Sequence, residues 1–272
     1  MLDNKFGFER SKIMQGDCLE KMKLIPDGSI DLVFADLPYG TTNCKWDSII
    51  DLPKLWCEYE RVIKNNGIIL LFAQTPFDKA LGVSNLKLLK YEWIWEKTQA
   101  TGHLNAKKMP MKAHENILVF YKNLPTYNPQ KTFGHERKVS KGYQRDICIK
   151  RRDEKWGGNY LYGKETTAPD YDSTERYPRS VLTFASDKQK SKLHPTQKPL
   201  ALIEYMIKTY TNEGDIVLDN VAGSGTTGEA CINLNRDFIL IEKEPKYCEI
   251  IKERIGKIFN DHNLNIDTLL EP

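Results

Sequence analysis

Asp36-Leu37-Pro38-Tyr39 follow directly on the apolar run Ile30–Ala35. A run of that length and composition reads as a buried strand, so the four residues fall at its carboxyl end, the edge where open α/β sheets hold their ligands. A carboxylate beside a backbone carbonyl gives two hydrogen-bond acceptors, enough to hold both N–H bonds of a planar exocyclic amine such as that of adenine or cytosine. The nitrogen lone pair of such an amine is delocalised into its ring, and acceptors on its hydrogens favour build-up of electron density on nitrogen as it attacks an electrophile. The Asp36 carboxylate and the Leu37 carbonyl suit those two positions, Pro38 stiffens the turn, and Tyr39 offers an aromatic face for stacking a base. Taken alone, the same four residues are equally an ordinary strand-ending turn.

A second group lies far along the chain. The apolar residues Ile216–Leu218 run into Asp219 and the small-residue loop Ala222-Gly223-Ser224-Gly225, and a helical pattern opens at Thr226. Gly223 and Gly225 permit close approach of a ligand to the backbone, and a helix start supplies unpaired N–H groups. Glu242 ends the next apolar run, 23 residues beyond Asp219 (242 minus 219), where an acid is placed to bind ribose hydroxyls. Together these features favour a nucleoside-containing cofactor. A carboxylate at Asp219 would repel a diphosphate but suits the amino group and sulfonium of S-adenosylmethionine; a helix-capping or turn role is the other reading of that residue.

Both groups depend on elements that alternate along the chain. Strands are expected at Lys12–Gln15, Ile30–Ala35, Ile68–Phe72, Tyr91–Trp95 and Ile117–Tyr121, with a helix over Leu52–Lys64 stopped by Asn65-Asn66-Gly67 and a shorter one after Pro76. After an interruption come a helix over Leu200–Tyr210, a strand Ile216–Leu218, a helix Thr226–Leu234, a strand Phe238–Ile241 and a last helix Lys246–Phe259. The tail from Asn260 is expected to be poorly ordered. Alternation of this kind predicts an α/β, Rossmann-like, doubly wound and mostly parallel sheet. The interruption carries the positive charge. Residues 97–190 hold 19 Lys+Arg against 10 Asp+Glu, a net +9, whereas the remainder holds 21 against 27, a net −6. The expected organisation is therefore an N-terminal half of the core over residues 1–122, a basic insertion over 123–190 and a C-terminal half over 191–272.

Six scattered cysteines without a CxxC pair read as free thiols of a reducing cytosol. Met1–Arg10 contains no apolar core of an export signal, and no stretch is long and apolar enough to span a bilayer, so a cytoplasmic protein away from membranes is expected. His103, His114, His135 and His262 show no metal-ligand or nucleophile spacing, and no metal is expected.

The two motifs, in this order, resemble those of the beta group of DNA amino-methyltransferases. Asp36-Leu37-Pro38-Tyr39 is similar to the Asp-Pro-Pro-Tyr of that family, and the loop from Asp219 to Gly225 is similar to its Asp-Pro-Phe-x-Gly-Ser-Gly. His194-Pro-Thr-Gln197-Lys198-Pro resembles the motif that precedes the helix leading to the cofactor strand, and Gly16-Asp17 resembles an early acidic motif near the cofactor adenine. The resemblance implies S-adenosylmethionine as cofactor, bound by Asp17, His194, Gln197, Lys198, Asp219, Ala222, Gly223, Ser224, Gly225, Thr226 and Glu242. It leaves roughly residues 123–187 uncovered, where the family carries its target-recognition region. Leu37 stands where the family has proline, which matters little if only its carbonyl is used. Asn220 and Val221 replace proline and phenylalanine, removing an aromatic from the cofactor loop.

Double-stranded DNA is the implied partner. A base methylated within a duplex has to leave the stack, and contacts with DNA must offset that. Lys107, Lys108 and Lys112, before the expected fifth strand, and Lys150-Arg151-Arg152 in the insertion are the cations expected on phosphates, with Tyr127, Tyr143, Trp156, Tyr160 and Tyr162 interleaved. Each is also readable as a solvated basic face or, for the aromatics, as core. Trp46 belongs to a lid over the flipped base or packs beneath its loop. An aspartate leading the tetrapeptide points, through the resemblance, to adenine N6 rather than cytosine N4. The other readings are an RNA or protein-glutamine methyltransferase and an inactive DNA-binding module. The resemblance also implies a homodimer, and a cognate restriction endonuclease is a possible companion.

Overall fold

The computed structural model describes residues 8–40, 49–145, 166–168, 170–186, 198–261 and 266–269. In chain order its elements are β1 (Lys12–Gln15), α1 (Cys18–Met22), β2 (Ile30–Ala35), α2 (Leu52–Val62), β3 (Ile63–Ala73), α3 (Phe77–Ser84), β4 (Leu89–Thr101) and β5 (Lys112–Phe120). Four short strands follow, β6 (Lys138–Ser140), β7 (Tyr143–Arg145), β8 (Thr166–Ala168) and β9 (Tyr171–Ser173). Then come β10 (Val181–Phe184), α4 (Leu200–Tyr210), β11 (Ile216–Asp219), α5 (Thr226–Asn233), β12 (Asp237–Glu242) and α6 (Pro245–Asp261).

Eight strands form one sheet in the order β1-β12-β11-β2-β3-β5-β4-β10, and only β5 runs against the rest. The side chains of β2 show why both faces are covered. Leu32 and Phe34 join a core formed with Leu202 and Met206 of α4, Ala230 of α5 and Ile251 and Ile255 of α6. Val33 and Ala35 point the other way, into a core with Met22 of α1, Leu55 and Tyr59 of α2 and Phe77 and Leu81 of α3. Alternation with a period of two thus feeds two helical layers, and the expected Rossmann-like, doubly wound plan is the one observed. The chain leaves β11 through α5 toward β12 and leaves β2 through α2 toward β3, in opposite directions along the sheet. The edge between β11 and β2 is therefore the switch point, where such sheets bind ligands.

Several expected boundaries change. Helix α2 passes into β3 at Ile63 with no stop at Asn65-Asn66-Gly67, which lie inside the strand. The β2–β3 register shifts between Ile30 and Leu32, and a Cβ on Gly67 would sit 2.7 Å from Ile63 Cγ1 and 3.0 Å from the Asp31 carbonyl oxygen, so this glycine serves a bulge. The tail is not loose throughout: a 3-10 turn at Ile266–Leu269 buries Leu269 against the core. Strands β4 and β5 are longer than expected and pair as far as Thr101 and Lys112.

The chain divides into two compact units, residues 1–128 with 180–272, and residues 129–179. The smaller unit is narrower than the charged stretch 123–190, because Val181–Phe184 pair with Ile94–Lys97 as an edge strand of the main sheet. Within the smaller unit β6 pairs with β9 and β7 with β8, and Arg137 bonds Asp172 while Lys131 bonds Glu175. Strands of three residues are too short to impress a hydrophobic period on the sequence.

Candidate active site

Register brings four distant segments to one edge. Gln15 of β1 lies beside Glu242 of β12, Asp219 of β11 beside Leu240 of β12, and Val217 and Leu218 of β11 beside Leu32 and Val33 of β2. Residues that follow each strand consequently line up in the order Gly16-Asp17, Glu242, Asp219–Thr226 and Asp36–Tyr39. Neighbouring strands are about 4.8 Å apart, so the span from Asp17 to Asp36 is of the order of one nucleoside.

The tetrapeptide is tied down by its own side chains. Tyr39 donates its hydroxyl to Asp36 Oδ1 at 2.6 Å, and the Lys198 ammonium donates to Asp36 Oδ2 at 2.6 Å. Lys198 lies just before α4, and its Nζ is also 3.1 Å from Glu115 Oε2, while Lys97 pairs with Glu115 Oε1 at 2.6 Å. The result is a chain of alternating charge, Asp36–Lys198–Glu115–Lys97, running from the tetrapeptide to β5 and β4. Burial opposes the charge on Lys198, but the carboxylates of Asp36 and Glu115 outweigh it and hold its pKa above the ordinary lysine range. Burial likewise opposes ionisation of Glu115, and the two lysines outweigh it, holding that carboxyl below its ordinary range. The ammonium also lies 4.9 Å from the ring centre of Phe72, whose cation–π attraction adds to its placement. The Tyr39 ring packs on Phe77, centroids 5.2 Å apart. Leu37 is 3% exposed and packs into the core with α2 and α3, so its side chain is structural.

The glycine loop is shaped by two left-handed residues, Gly223 with φ of 54° and Gly225 with φ of 76°. A Cβ on Gly225 would lie 3.1 Å from Ile251 Cγ1, so glycine is also required by the packing of α6. Asp219 accepts from Thr227 Oγ1 at 2.6 Å and from the Val221 N–H at 3.2 Å, closing the turn as its alternative reading required. Glu242 accepts from the Gly223 N–H and the Glu244 N–H, each at 2.8 Å. Burial pushes the Asp219 carboxyl up to about 7, helped by the charges of Asp36 and Glu242, and burial raises Glu242 as well. The N–H groups of Val221, Gly223 and Glu244 and the Thr227 hydroxyl that donate to these two acids are neutral, and each carboxylate oxygen has a further lone pair. That donor set suits a cationic, hydroxyl-bearing ligand and does not suit a diphosphate. Asp17 caps α1 through Leu19 N at 3.0 Å and lies 3.7 Å from the Lys243 ammonium.

Of the residues expected at the site, Asp36, Leu37, Pro38, Tyr39, Asp17, Asp219, Ala222, Gly223, Ser224, Gly225, Thr226 and Glu242 belong to the aligned loops, and Lys198 directs its ammonium to Asp36. Lys107 and Lys108 lie in the exposed connection between β4 and β5, and Lys112, also exposed, opens β5. His194, Gln197, Arg151, Arg152, Trp46, Trp156, Tyr160 and Tyr162 lie outside the described residues. Glu115 and Lys97 were missed, because nothing in a strand sequence announces which charge will meet a loop across the sheet. Arg254 was missed for the same reason; it bonds the Ser224 carbonyl and Thr226 Oγ1 at 3.0 Å and pairs with Glu229, fastening the glycine loop to α6. Asn220, which departs from the family pattern, accepts from the buried Tyr59 hydroxyl at 2.6 Å.

Among curated proteins the chain is 31% identical to the DNA adenine methyltransferase YhdJ of Escherichia coli (strain K12), over 92% of this chain and 84% of that protein. It is 29% identical to the Type II methyltransferase M.HinfI of Haemophilus influenzae, over 90% of this chain and 68% of that protein. Among solved structures it resembles the M1.HpyAVI–SAM complex with a TM-score of 0.61 at 24% identity, covering 90% of this chain and 98% of that one. It also resembles the cytosine-N4-specific PvuII DNA methyltransferase with a TM-score of 0.59 at 16% identity, covering 91% and 90%. These structural likenesses speak for the fold. Residues 30–253 match the DNA methylase family, a stretch that starts with β2 and reaches into α6, and the chain belongs to that family.

Proposed function

We propose that this protein transfers a methyl group from S-adenosylmethionine to the exocyclic N6 of an adenine flipped out of double-stranded DNA. The observation that carries the reading is the register of β2 against β11, which sets Asp36 one strand spacing from the Asp219–Gly225 loop. A methyl donor and an amine acceptor held on adjacent loops meet at one point. When bound, S-adenosylmethionine supplies an electrophilic methyl group on a sulfonium. Asp219 faces its cationic end, Glu242 its ribose hydroxyls, and the left-handed turns at Gly223 and Gly225 let the backbone approach closely. Asp36 has one lone pair on each oxygen engaged by Tyr39 and Lys198, and a remaining pair accepts one amine N–H while the Leu37 carbonyl accepts the other. Methylation leaves positive charge on the amine nitrogen, and the adjacent carboxylate stabilises it until the proton departs.

Adenine is preferred over cytosine because a sequence relative at 31% identity is named a DNA adenine methyltransferase, whereas the cytosine-N4-specific structure is similar at 16%. Arg151, Arg152, Lys107, Lys108 and Lys112 serve as phosphate contacts, the segment 129–179 contributes to target recognition, and His194 and Gln197 complete the cofactor site. A homodimer, a companion restriction endonuclease and a cytosolic location go with this reading; no helix among the described residues is long and apolar enough to cross a membrane. The test is transfer of labelled methyl groups to duplex DNA, followed by digestion to nucleosides and identification of the product by mass. N6-methyladenine is expected, and a cytosine product refutes the base assignment. Asp36→Ala should abolish transfer while leaving cofactor affinity within a fewfold; retained transfer removes Asp36 from its role.

A further inference from the structure

Strands β4 and β5 do not stop where the catalytic strand stops. At the end of β2, Ala35 pairs with Leu71, Leu71 with Leu118, and Leu118 with Glu92, which marks one level across the sheet. From Leu118 the strand β5 continues back to Lys112; its pairing with β4 is regular as far as His114 opposite Glu96, then shifts register and resumes at Lys112 opposite Thr101. Six further residues of strand at roughly 3.3 Å each carry this hairpin about 20 Å past the level of Ala35, before its tip of residues 102–111 begins. The overhang rises from the edge that holds the tetrapeptide, and its root carries Lys97 and Glu115 of the charge chain to Asp36. Lys112 Nζ reaches Gln74 Oε1, just past the end of β3, at 3.2 Å.

The composition of this arm is unusual for a solvated hairpin. Every residue from Thr101 to His114 is exposed. Leu104 is 87% exposed, Met109 55% and Met111 41%. Between Lys97 and Glu115 there is no acidic residue, but there are Lys107, Lys108 and Lys112. Single exposed apolar side chains need no explanation, whereas three clustered at one tip mark a contact surface. Lysines without acids select a polyanion as the occupant, and they would repel the same arm of a second copy.

We propose that the β4–β5 arm enters duplex DNA beside the target base, with Leu104 and Met109 unstacking the step the base vacates and Lys107, Lys108 and Lys112 on the flanking phosphates. The proposal rests on the reading of the chain as a DNA base methyltransferase. It assigns the wedge to side chains that protrude above the catalytic edge and are tied at their root to the network holding Asp36.

The test compares the wild-type enzyme with Leu104→Ser/Met109→Ser on two DNAs of identical sequence, one fully paired and one with a mismatch opposite the target adenine. Both residues are exposed, so the variant should unfold at the wild-type temperature. Transfer to the paired duplex is expected to fall about 10- to 100-fold and transfer to the mismatched duplex by less than about threefold, because a mismatched base leaves the stack more readily. With 2-aminopurine at the target, the fluorescence rise on binding should be lost in the variant. In the triple variant Lys107→Ala/Lys108→Ala/Lys112→Ala, the slope of log affinity against log salt should flatten by nearly three. Equal loss on both DNAs, or none on either, overturns the wedge. So does a variant that turns a dimer into a monomer, which gives the surface to a second copy. A wild-type enzyme that methylates neither DNA overturns the underlying reading and the proposal with it.

Discussion

Replacing Lys198 with methionine removes a cation that lies 2.6 Å from Asp36 Oδ2 and 3.1 Å from Glu115 Oε2, with its side chain 11% exposed. At an effective dielectric constant near 20, charges at those separations attract by roughly 6 and roughly 5 kcal/mol, before desolvation of several kcal/mol per ion is subtracted. Glu115 keeps Lys97 at 2.6 Å, so it is not left alone. The stability loss should therefore lie at the lower end of that for broken buried pairs, about 3 kcal/mol, a fall of roughly 6–12 °C in Tm for a chain of this size. Asp36 is 27% exposed, so water recovers part of its lost partner. If about half of the attraction is lost to the reaction, kcat falls by roughly 3 kcal/mol in barrier, or about 100-fold. Cofactor affinity should change by less than about threefold, because the ammonium is directed at the tetrapeptide. Single-turnover methyl transfer, calorimetric cofactor binding and thermal unfolding read the three quantities separately. An unchanged kcat with tenfold weaker cofactor binding would make Lys198 a cofactor ligand. A wild-type kcat accompanied by the loss of stability alone would leave it a structural residue, and either result refutes the reasoning.

Asp219 gives a pH prediction with a definite sign. Its carboxyl is pushed in the folded state to about 7, above the ordinary aspartate value of 3.8, so the neutral acid's contribution to stability is complete below pH 3.8 and is lost as pH rises through 7. A cationic ligand needs the ionised form, so S-adenosylmethionine should bind about tenfold more weakly at pH 6 than at pH 8. Titration calorimetry at the two values checks this; a flat profile, or one that persists in Asp219→Asn, contradicts it. Gly225→Ala forces a side chain into φ of 76° and against Ile251 at 3.1 Å, and should cost about 1–3 kcal/mol by denaturant unfolding besides weakening the cofactor. An alanine variant of wild-type stability would show that α6 gives way more easily than its packing suggests.

The parts of the molecule that could be read from the chain are those where one residue type at one position satisfies a local rule. β1, β2 and α4 have the expected bounds because apolar runs of the right period end at turn or capping residues. The left-handed turns at Gly223 and Gly225 were legible because a tight turn after a strand permits few alternatives, whereas Asp36 and Asp219 could be placed at strand ends but not told from ordinary turn residues one at a time. β10 was hidden because four residues with alternating exposure look like the polar segment they follow. The start of β3 was hidden because Val62-Ile63 satisfies the helical period until the register of β2 pulls it into the sheet. Glu115 was hidden because its partner is fixed by strand pairing: His114 opposite Glu96 and Glu115 opposite Trp95 bring it to Lys97, one residue beyond Glu96 on β4. The same principle governs the site as a whole. Asp36 and Asp219 are 183 positions apart (219 minus 36), yet pairing of Val33 with Leu218 makes their loops neighbours. The proposed reaction requires of the loop a fixed carbonyl and a fixed carboxylate, and the backbone and the carboxylate are held by different means. Leu37 anchors the turn by burying its side chain in the core, and Tyr39 and Lys198 anchor the Asp36 carboxylate by bonding one oxygen each. Leucine in place of the family's proline is therefore a change in how the turn is held.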